Sequence, residues 1–453
     1  MTYYLDLFGC VKNQVDAENM MAFLSKAGWT VATDAENADL IIVNSCGFIE
    51  SAKQESINAV LLWRRLYPRK KILLAGCLAQ RYAKELSESL PEADGFFGIE
   101  DISRITQAAG EILDIPFDAS PKPRTTRQGK RPLLSLPGSA YVKISEGCDN
   151  NCSFCAIPLI RGSLRSRSIP DVTEECKTLL GRGIKELCLI GQDTGSYGKD
   201  LPASGSSNNL PGLLKAISAL DGIFWVRLLY IHPEHFPLPI LDIMEKDKRF
   251  VPYFDIPFQH GSEKILRLMN RRVNSDFYLD LIKTIRIKLP DAVIRSTFIT
   301  GFPGETDEDF GELLNFQKNA ELDWLGCFTY SREENTPSYN LKGRVPKKTA
   351  AERKRLIEEN QVPITEKRME SFVGRVFDVL VEEEFEPLKE ESTAENSADT
   401  SGTHTICLGR LPCQAPEVDG SAVIHSPRPL QLGAIVPCKI FARAGFDLQA
   451  EPV

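Results

Sequence analysis

The chain has no uninterrupted apolar run near the roughly 18 residues that a helix needs to cross a bilayer, so no helical membrane span is expected. Its first residues, Met1-Thr-Tyr-Tyr-Leu-Asp6, offer neither a basic n-region nor a sustained apolar stretch, and no secretory leader is expected. Histidine is scarce, with 5 in 453 residues and none before His232. The first half of the chain therefore lacks a common companion of cysteine in zinc sites. No internal repeat is evident, which argues against solenoids and propellers.

Cysteine, by contrast, is plentiful, with 12 in the chain. In a long chain without a leader, thiols fit a reducing cytoplasm and metal binding better than a disulfide framework. A length of 453 residues exceeds what one core normally serves, so two to four domains are expected. The apolar fraction of 42% is ordinary for a globular protein. The formal charge of -8 is unevenly spread: from Phe372 to Val453 there are thirteen acidic against six basic residues, a net of -7.

Three segments succeed one another. Up to about residue 116, strand-like Tyr3–Phe8, Leu40–Val43 and Lys71–Ala75 alternate with helix-like Val15–Lys26 and Ser51–Leu62, the pattern of a parallel, flavodoxin-like α/β domain. Residues 117–137 are rich in Pro, Arg and Lys, lose periodicity and read as a linker. Over 138–371, strand-then-helix units recur, with strands expected near Ala140–Ile144, Glu186–Ile190, Phe224–Leu229, Tyr253–Pro257, Ala292–Ile299 and Trp324–Tyr330. Parallel strands need such crossovers, and loops at strand C-terminal ends are where barrel chemistry sits. A charged helix is expected over Thr349–Met369. Residues 372–443 begin and end with the strands Val373–Val381 and Ala434–Ile440 and suggest a small OB-like β-barrel. Within it, Glu382 to Thr405 is rich in Glu, Ser and Thr and reads as an exposed loop.

The run Ile144-Ser-Glu-Gly-Cys-Asp-Asn-Asn-Cys-Ser-Phe-Cys155 places Cys148, Cys152 and Cys155 within eight residues, with no fourth thiol close behind. Iron-sulfur cubes are held by thiolates, and three from one loop would leave one iron open. A structural zinc ion normally takes a fourth Cys or His, and the next candidate, Cys176, lies in a helix-like stretch. Zinc binding and chance clustering are the alternatives to a cluster. Cys10, Cys46 and Cys77 form a second set: each ends an apolar strand beside a glycine, in Phe8-Gly-Cys10, Ser45-Cys-Gly47 and Ala75-Gly-Cys77. Strand ends of a parallel sheet meet at one edge, where open α/β sheets bind ligands, and glycine admits a bulky group close to the backbone. Packing as small buried hydrophobes is the other reading of these three. For Cys176, Cys188, Cys327, Cys407, Cys413 and Cys438, core packing is expected.

The CxxxCxxC loop after the strand at Ala140–Ile144 resembles that of the radical S-adenosylmethionine enzymes, which implies an incomplete TIM-like α/β barrel over 138–371, and with the first cysteine set and the terminal β-barrel the whole chain resembles the methylthiotransferases. The resemblance implies two 4Fe-4S clusters, one on Cys10, Cys46 and Cys77 and one on Cys148, Cys152 and Cys155, the latter binding S-adenosylmethionine, and a terminal domain of the TRAM type that helps recognise substrate. It implies radical removal of hydrogen from an unactivated carbon, sulfur insertion, and methyl transfer from a second S-adenosylmethionine. It also implies a tentative cofactor pocket in loops after strands: Gly191, Gln192 and Asp193, then Gln259, then Gly301. His260 could equally be structural.

TRNA-directed members usually carry Gly-Cys-Gln-Met-Asn at the first cysteine, whereas Gly9-Cys-Val-Lys-Asn-Gln-Val-Asp-Ala-Glu18 is similar to the branch modifying ribosomal protein S-twelve. Val11 and Ala17 depart from that branch's common proline and serine. Ser145-Glu-Gly-Cys148, Ile157-Pro-Leu-Ile-Arg-Gly162, Gly409-Arg410 and Ala415-Pro-Glu-Val-Asp-Gly420 agree with it. The resemblance thus implies methylthiolation of the β-carbon of an aspartate in that protein, with an external electron donor such as flavodoxin or ferredoxin. The acidic terminal segment suits a basic ribosomal protein better than phosphate, so direct nucleic acid binding is not expected. Two other readings stand beside this one: modification of an adenosine in tRNA, and a non-catalytic metal protein associated with the ribosome.

Overall fold

The computed structural model describes residues 1–115, 130–202, 208–385 and 405–453. Most of the expected linker, 117–129, and most of the expected acidic loop, 386–404, lie outside the described residues.

The first sheet is built from β1 (Thr2–Leu7), β2 (Thr30–Val31), β3 (Leu40–Ser45), β4 (Lys71–Gly76) and β5 (Gly95–Phe97), with helices α1 (Val11–Lys26), α2 (Glu50–Leu66), α3 (Cys77–Ser89) and α4 (Ile105–Ile112). All pairings are parallel, in the order β2-β1-β3-β4-β5. That is the flavodoxin-like order. β3 is buried along its whole length, which is why Leu40-Ile-Ile-Val43 reads as a continuous apolar run rather than an alternation. The neighbouring strands β1, β3 and β4 bring Cys10, Cys46 and Cys77 to one edge.

The second sheet holds β6 (Ser139–Lys143), β9 (Glu186–Ile190), β10 (Trp225–Leu228), β11 (Phe250–Asp255), β12 (Val293–Thr300) and β13 (Trp324–Thr329). Its order is β13-β12-β11-β10-β9-β6, all parallel, so the barrel stops at six strands and stays open. A two-stranded ribbon, β7 (Ser145–Glu146) with β8 (Arg165–Ser166), flanks the cysteine loop and α5 (Ile157–Arg161). The covering helices are α6 (Ile169–Gly181), α7 (Leu210–Ser218), α8 (Pro239–Lys246), α9 (Glu263–Leu268), α10 (Ser275–Lys288), α11 (Asp307–Ala320) and α12 (Lys347–Glu370). The last five strands, β14 (Val376–Phe385), β15 (Thr405–Arg410), β16 (Ala422–Ser426), β17 (Ile435–Ala444) and β18 (Asp447–Pro452), close a barrel.

Alternate residues of the second sheet serve two cores. Val142, Leu187, Leu189, Val226 and Leu228 pack under the helices. Tyr141, Cys188, Trp225, Tyr253 and Val293 face the concave side and pack with Leu411, Cys413 and Ala415 of the terminal barrel. The segment from Leu411 to Asp419 thus plugs the open barrel. Tyr253 Oη donates to Asp419 at 2.6 Å and Trp324 Nε1 to the Cys413 carbonyl at 3.1 Å. A buried ionic chain crosses the same seam: Glu186 lies 2.8 Å from Arg227 and 2.5 Å from Arg410, which also meets Glu382 at 2.7 Å.

Three expectations need correction. Glu382 belongs not to an exposed loop but to β14, buried against Arg410, which leaves the described barrel surface less acidic than the residue count implies. Arg131, read as part of a linker, is buried and clamps Glu18 of α1 at 2.6 Å while also pairing with Glu175 of α6. The terminal barrel closes only with β18, beyond the expected limit at 443, because β18 pairs with both β16 and β17.

Burial alone would raise the Glu186 carboxyl, but Arg410 and Arg227 hold it down at about 2. A folded-state value below the unfolded one stabilises fully above about 4.5 and is lost as pH falls towards about 2. Glu186→Gln is expected to cost about 3–5 kcal/mol near pH 7, because it leaves the buried Arg227 guanidinium without a carboxylate and Arg410 with Glu382 alone. In denaturant melts that difference should shrink as pH falls through the same window; a difference independent of pH would refute the pairing.

Candidate active site

Cys10 follows β1 and caps α1, Cys46 follows β3, and Cys77 opens α3 directly after β4. Their backbones approach closely. A Cβ on Gly9 would fall 3.1 Å from Cys46 Cβ, and one on Gly47 only 2.6 Å from the Cys77 carbonyl oxygen, so neither position tolerates a side chain. All twelve cysteines are free thiols. No group of three metal-binding side chains among the described residues converges on a single ion position. A cube does not require that, since its thiolates bind separate irons.

Cys148, Cys152 and Cys155 lie on the loop between β7 and α5. The loop is pinned from several sides. Cys148 N donates to the Gly162 carbonyl at 3.0 Å, Ser153 Oγ to the Leu268 carbonyl at 2.7 Å, and Asn270 Nδ2 to the Asn151 carbonyl at 2.7 Å. A cavity of about 250 Å³ opens beside Cys148 and Cys152, lined also by Asp193, His232 and His235. Asp193 accepts from Asn150 at 2.9 Å and Ser196 at 2.7 Å, with His235 Nδ1 2.7 Å away. Burial would raise its carboxyl, but these partners hold it well below the usual carboxylate range. Burial and the neighbouring Arg271 guanidinium push His232 down to about 2, which keeps its ring neutral. Burial pushes the Cys148 thiol up to about 11 and the Cys155 thiol up to about 12, so cationic metal is needed to hold them as thiolates.

One residue joins the two cysteine sets. Arg161, at the end of α5 and six residues after Cys155, is buried and reaches into the first sheet's edge. Its Nη2 donates to Cys77 Sγ at 3.1 Å and to Asn13 Oδ1 at 2.7 Å. Its Nη1 lies 2.9 Å from Glu146 and 3.0 Å from Asp16. Lys143 pairs with both of these carboxylates. Burial would raise the Glu146 carboxyl, but Lys143 and Arg161 hold it far below its ordinary range, and it accepts from Gln192 Nε2 at 2.9 Å. The first set, the second set and the loop after β9 are thus linked through one buried network.

The expected cofactor-pocket residues separate. Gly191, Gln192 and Asp193 follow β9 beside the cysteine loop, and a Cβ on Gly191 would meet Ser145 Oγ at 2.7 Å. Gln259, in the left-handed region at φ +70, lies outside the cavity lined by Asp193, with its Oε1 buried and lacking a protein partner. The Oε1 of Gln192 and the Oγ of Ser145 are orphaned in the same way. Buried acceptors at strand ends without protein partners fit a site that takes a polar ligand. Gly301 is not among the residues lining the cavity beside Cys148. Its amide donates to Glu305 at 2.9 Å, its Cα faces Ala350, and it lines a different cavity of about 760 Å³ with Ile49, Phe328 and Arg344. His260 is fully buried, accepts from Ser262 N at 2.9 Å and lies 3.5 Å from Glu305, as a structural histidine would.

A model of the radical SAM superfamily matches residues 142–316, one of an uncharacterized family, UPF0004, matches 2–98, and a TRAM domain model matches 373–453. The ribosomal protein uS12 methylthiotransferase RimO of Treponema denticola is 48% identical over 99% of this chain and 100% of its own. The protein of the same name from Thermosipho africanus is 41% identical over 100% of both chains. This chain belongs to the ribosomal protein uS12 methylthiotransferase family. It is therefore a radical SAM transferase, as its cysteine loop implied. Among solved structures, the radical S-adenosylmethionine methyltransferase TsrM of Kitasatospora setae is 13% identical with a TM-score of 0.53, covering 75% of this chain and 73% of that one, a likeness of fold.

Within this methylthiotransferase, sequence reasoning gave no role to Lys143, and it saw Asn13, Asp16, Glu146 and Arg161 only as parts of motifs similar to the family's. The signal was adjacency: Asn13 is three residues after Cys10, and Glu146 two before Cys148. Cys10 is exposed, yet enough protein surrounds it that burial works against its thiolate. Lys12 and Arg161 outweigh that effect and lower its pKa, while burial raises Cys46 and pushes Cys77 up to about 12. In the metal-free protein, iodoacetamide at pH 7–8 is therefore expected to label Cys10 several-fold faster than Cys46 or Cys77, and Arg161→Met should slow it. Peptide mapping by mass spectrometry reads the order; equal rates would contradict it.

Proposed function

We propose that this enzyme methylthiolates the β-carbon of an aspartate in ribosomal protein uS12, with 4Fe-4S clusters on Cys10, Cys46 and Cys77 and on Cys148, Cys152 and Cys155. The observation that carries this reading is Arg161, which follows the second cysteine set and hydrogen-bonds Cys77 of the first at 3.1 Å. One side chain in contact with both regions supports a single shared chamber, where a substrate radical could meet sulfur before being quenched. When bound, the second cluster supplies the electron that cleaves S-adenosylmethionine.

The residues of the chain do the positioning. Asp193, through Asn150, fixes the cysteine loop against the strand ends. Arg161 offers a charge-assisted hydrogen bond to a thiolate at Cys77. Lys143 and Arg161 keep Glu146 ionised, so that it orients Gln192 beside the cavity. Gly191, Gln192 and Asp193 form part of the S-adenosylmethionine pocket, and Gln259 borders it with an unpaired acceptor. The first sheet caps the barrel's strand ends and excludes water. The units at 1–116, 138–371 and the terminal barrel divide this work, and the terminal barrel helps engage the basic uS12 protein. An external reductant such as flavodoxin or ferredoxin supplies electrons, and the cytoplasm is the site of action. Among the described residues no helix is long and apolar enough to cross a membrane.

Reconstituted enzyme is expected to bind about eight irons per chain and to add a methylthio group to uS12, read by mass spectrometry. Cys148→Ala should abolish 5'-deoxyadenosine formation. Cys10→Ala should retain some cleavage but insert no sulfur. Product on tRNA alone would overturn the substrate assignment, and about four irons would overturn the second cluster.

A further inference from the structure

Lys12 stands out among the buried cations at the junction of the first sheet and the barrel. Arg131, Lys143 and Arg161 are each paired with carboxylates. Lys12 is 8% exposed, and its ammonium makes no hydrogen bond or ion pair among the described residues. It rests 3.1 Å above the centroid of the Tyr230 ring. Tyr230 follows β10 and has a left-handed backbone, φ +62, held by Thr194, whose N and Oγ1 donate to its carbonyl at 2.9 and 3.2 Å. A strained residue held this way marks a position kept for more than packing.

The charged groups around Lys12 are Cys10, Arg161, Asp255 and Glu146. The two carboxylates are committed elsewhere: Glu146 to Lys143 and Arg161, and Asp255 to Arg295 at 3.3 Å. The Tyr230 face is the neighbour on which the ammonium rests. Buried charges are ordinarily paired, and this one lies at the strand ends with the Cys10 sulfur as its anionic neighbour but with no carboxylate of the described residues paired to it.

We propose that Lys12 is the substrate-carboxylate residue: its ammonium pairs with the side chain of the aspartyl residue to be modified and holds that residue at the Cys10 side of the chamber. The assignment rests on the proposed action on an aspartate of uS12. An ammonium on a flexible stem, above an aromatic ring, can turn from the ring to an arriving carboxylate without breaking an existing ion pair. Tyr230 then serves as its resting place, and the target residue supplies the carboxylate that the described residues do not.

The test compares binding of two peptides to the reconstituted holoenzyme under anaerobic conditions. Both span the modified segment of uS12, one with aspartate and one with asparagine at the target. Wild type should prefer the aspartate peptide by about tenfold or more, the scale of a charge-assisted hydrogen bond. Lys12→Met should lose that preference while binding the asparagine peptide as wild type does, and Lys12→Arg should restore part of it. An unchanged preference in Lys12→Met, or none in wild type, overturns the proposal. Weaker binding of S-adenosylmethionine alone by Lys12→Met would assign the ammonium to the cofactor's carboxylate instead, and also overturns it. Wild-type enzyme that leaves uS12 unmodified in its own assay would fail the functional reading first, separately from any difference between the peptides.

Discussion

A cluster of opposite charges, buried where the first sheet meets the open barrel, sets the geometry of this enzyme. Asp16 comes from α1, Lys143 from β6, Glu146 from β7 and Arg161 from α5, so four elements of two domains are tied at one point. Stripping such ions of water costs several kcal/mol each, and only close, multiple pairing offsets that. Once formed, the cluster tolerates little displacement, because moving any member leaves another charged and dry. Cys77 and the loop carrying Cys148, Cys152 and Cys155 inherit that rigidity through Arg161.

A second ionic seam lies on the concave face of the barrel sheet. Glu186, Arg227, Arg410 and Glu382 join it to the terminal barrel, while Leu411 to Asp419 fill the interior that six strands leave open. Burial pushes Asp419 up to about 6, and it still accepts from Tyr253. The half-barrel is thus stoppered on its concave side and capped at its strand ends by the first sheet. Acceptors without protein partners collect between cap and sheet, at Ser145, Gln192 and Gln259.

Much of the architecture was legible because buried parallel strands announce themselves. Leu40–Val43 and Glu186–Ile190 are apolar runs bounded by turns and crossovers, and both became strands. Short β2 and β5 escaped notice, since two or three residues carry no period. The cysteine sets were readable from spacing and from recurrence at strand ends. What joined them was not, because the partners of Arg161 lie up to 148 residues away and charge alone does not reveal pairing. Arg131 and Glu382 misled for the same reason: a lone charged residue in a polar stretch looks solvated until a distant partner buries it.

The position of Arg161 beside Cys77 has a consequence for the order of assembly. The guanidinium comes from the second unit, while Asn13, Asp16 and Cys77 come from the first, so these partners reach it only when the two units dock. Until then its donors face water, and the dry pairing seen here forms late. Its appearance reports the docking of the two halves rather than the folding of either one.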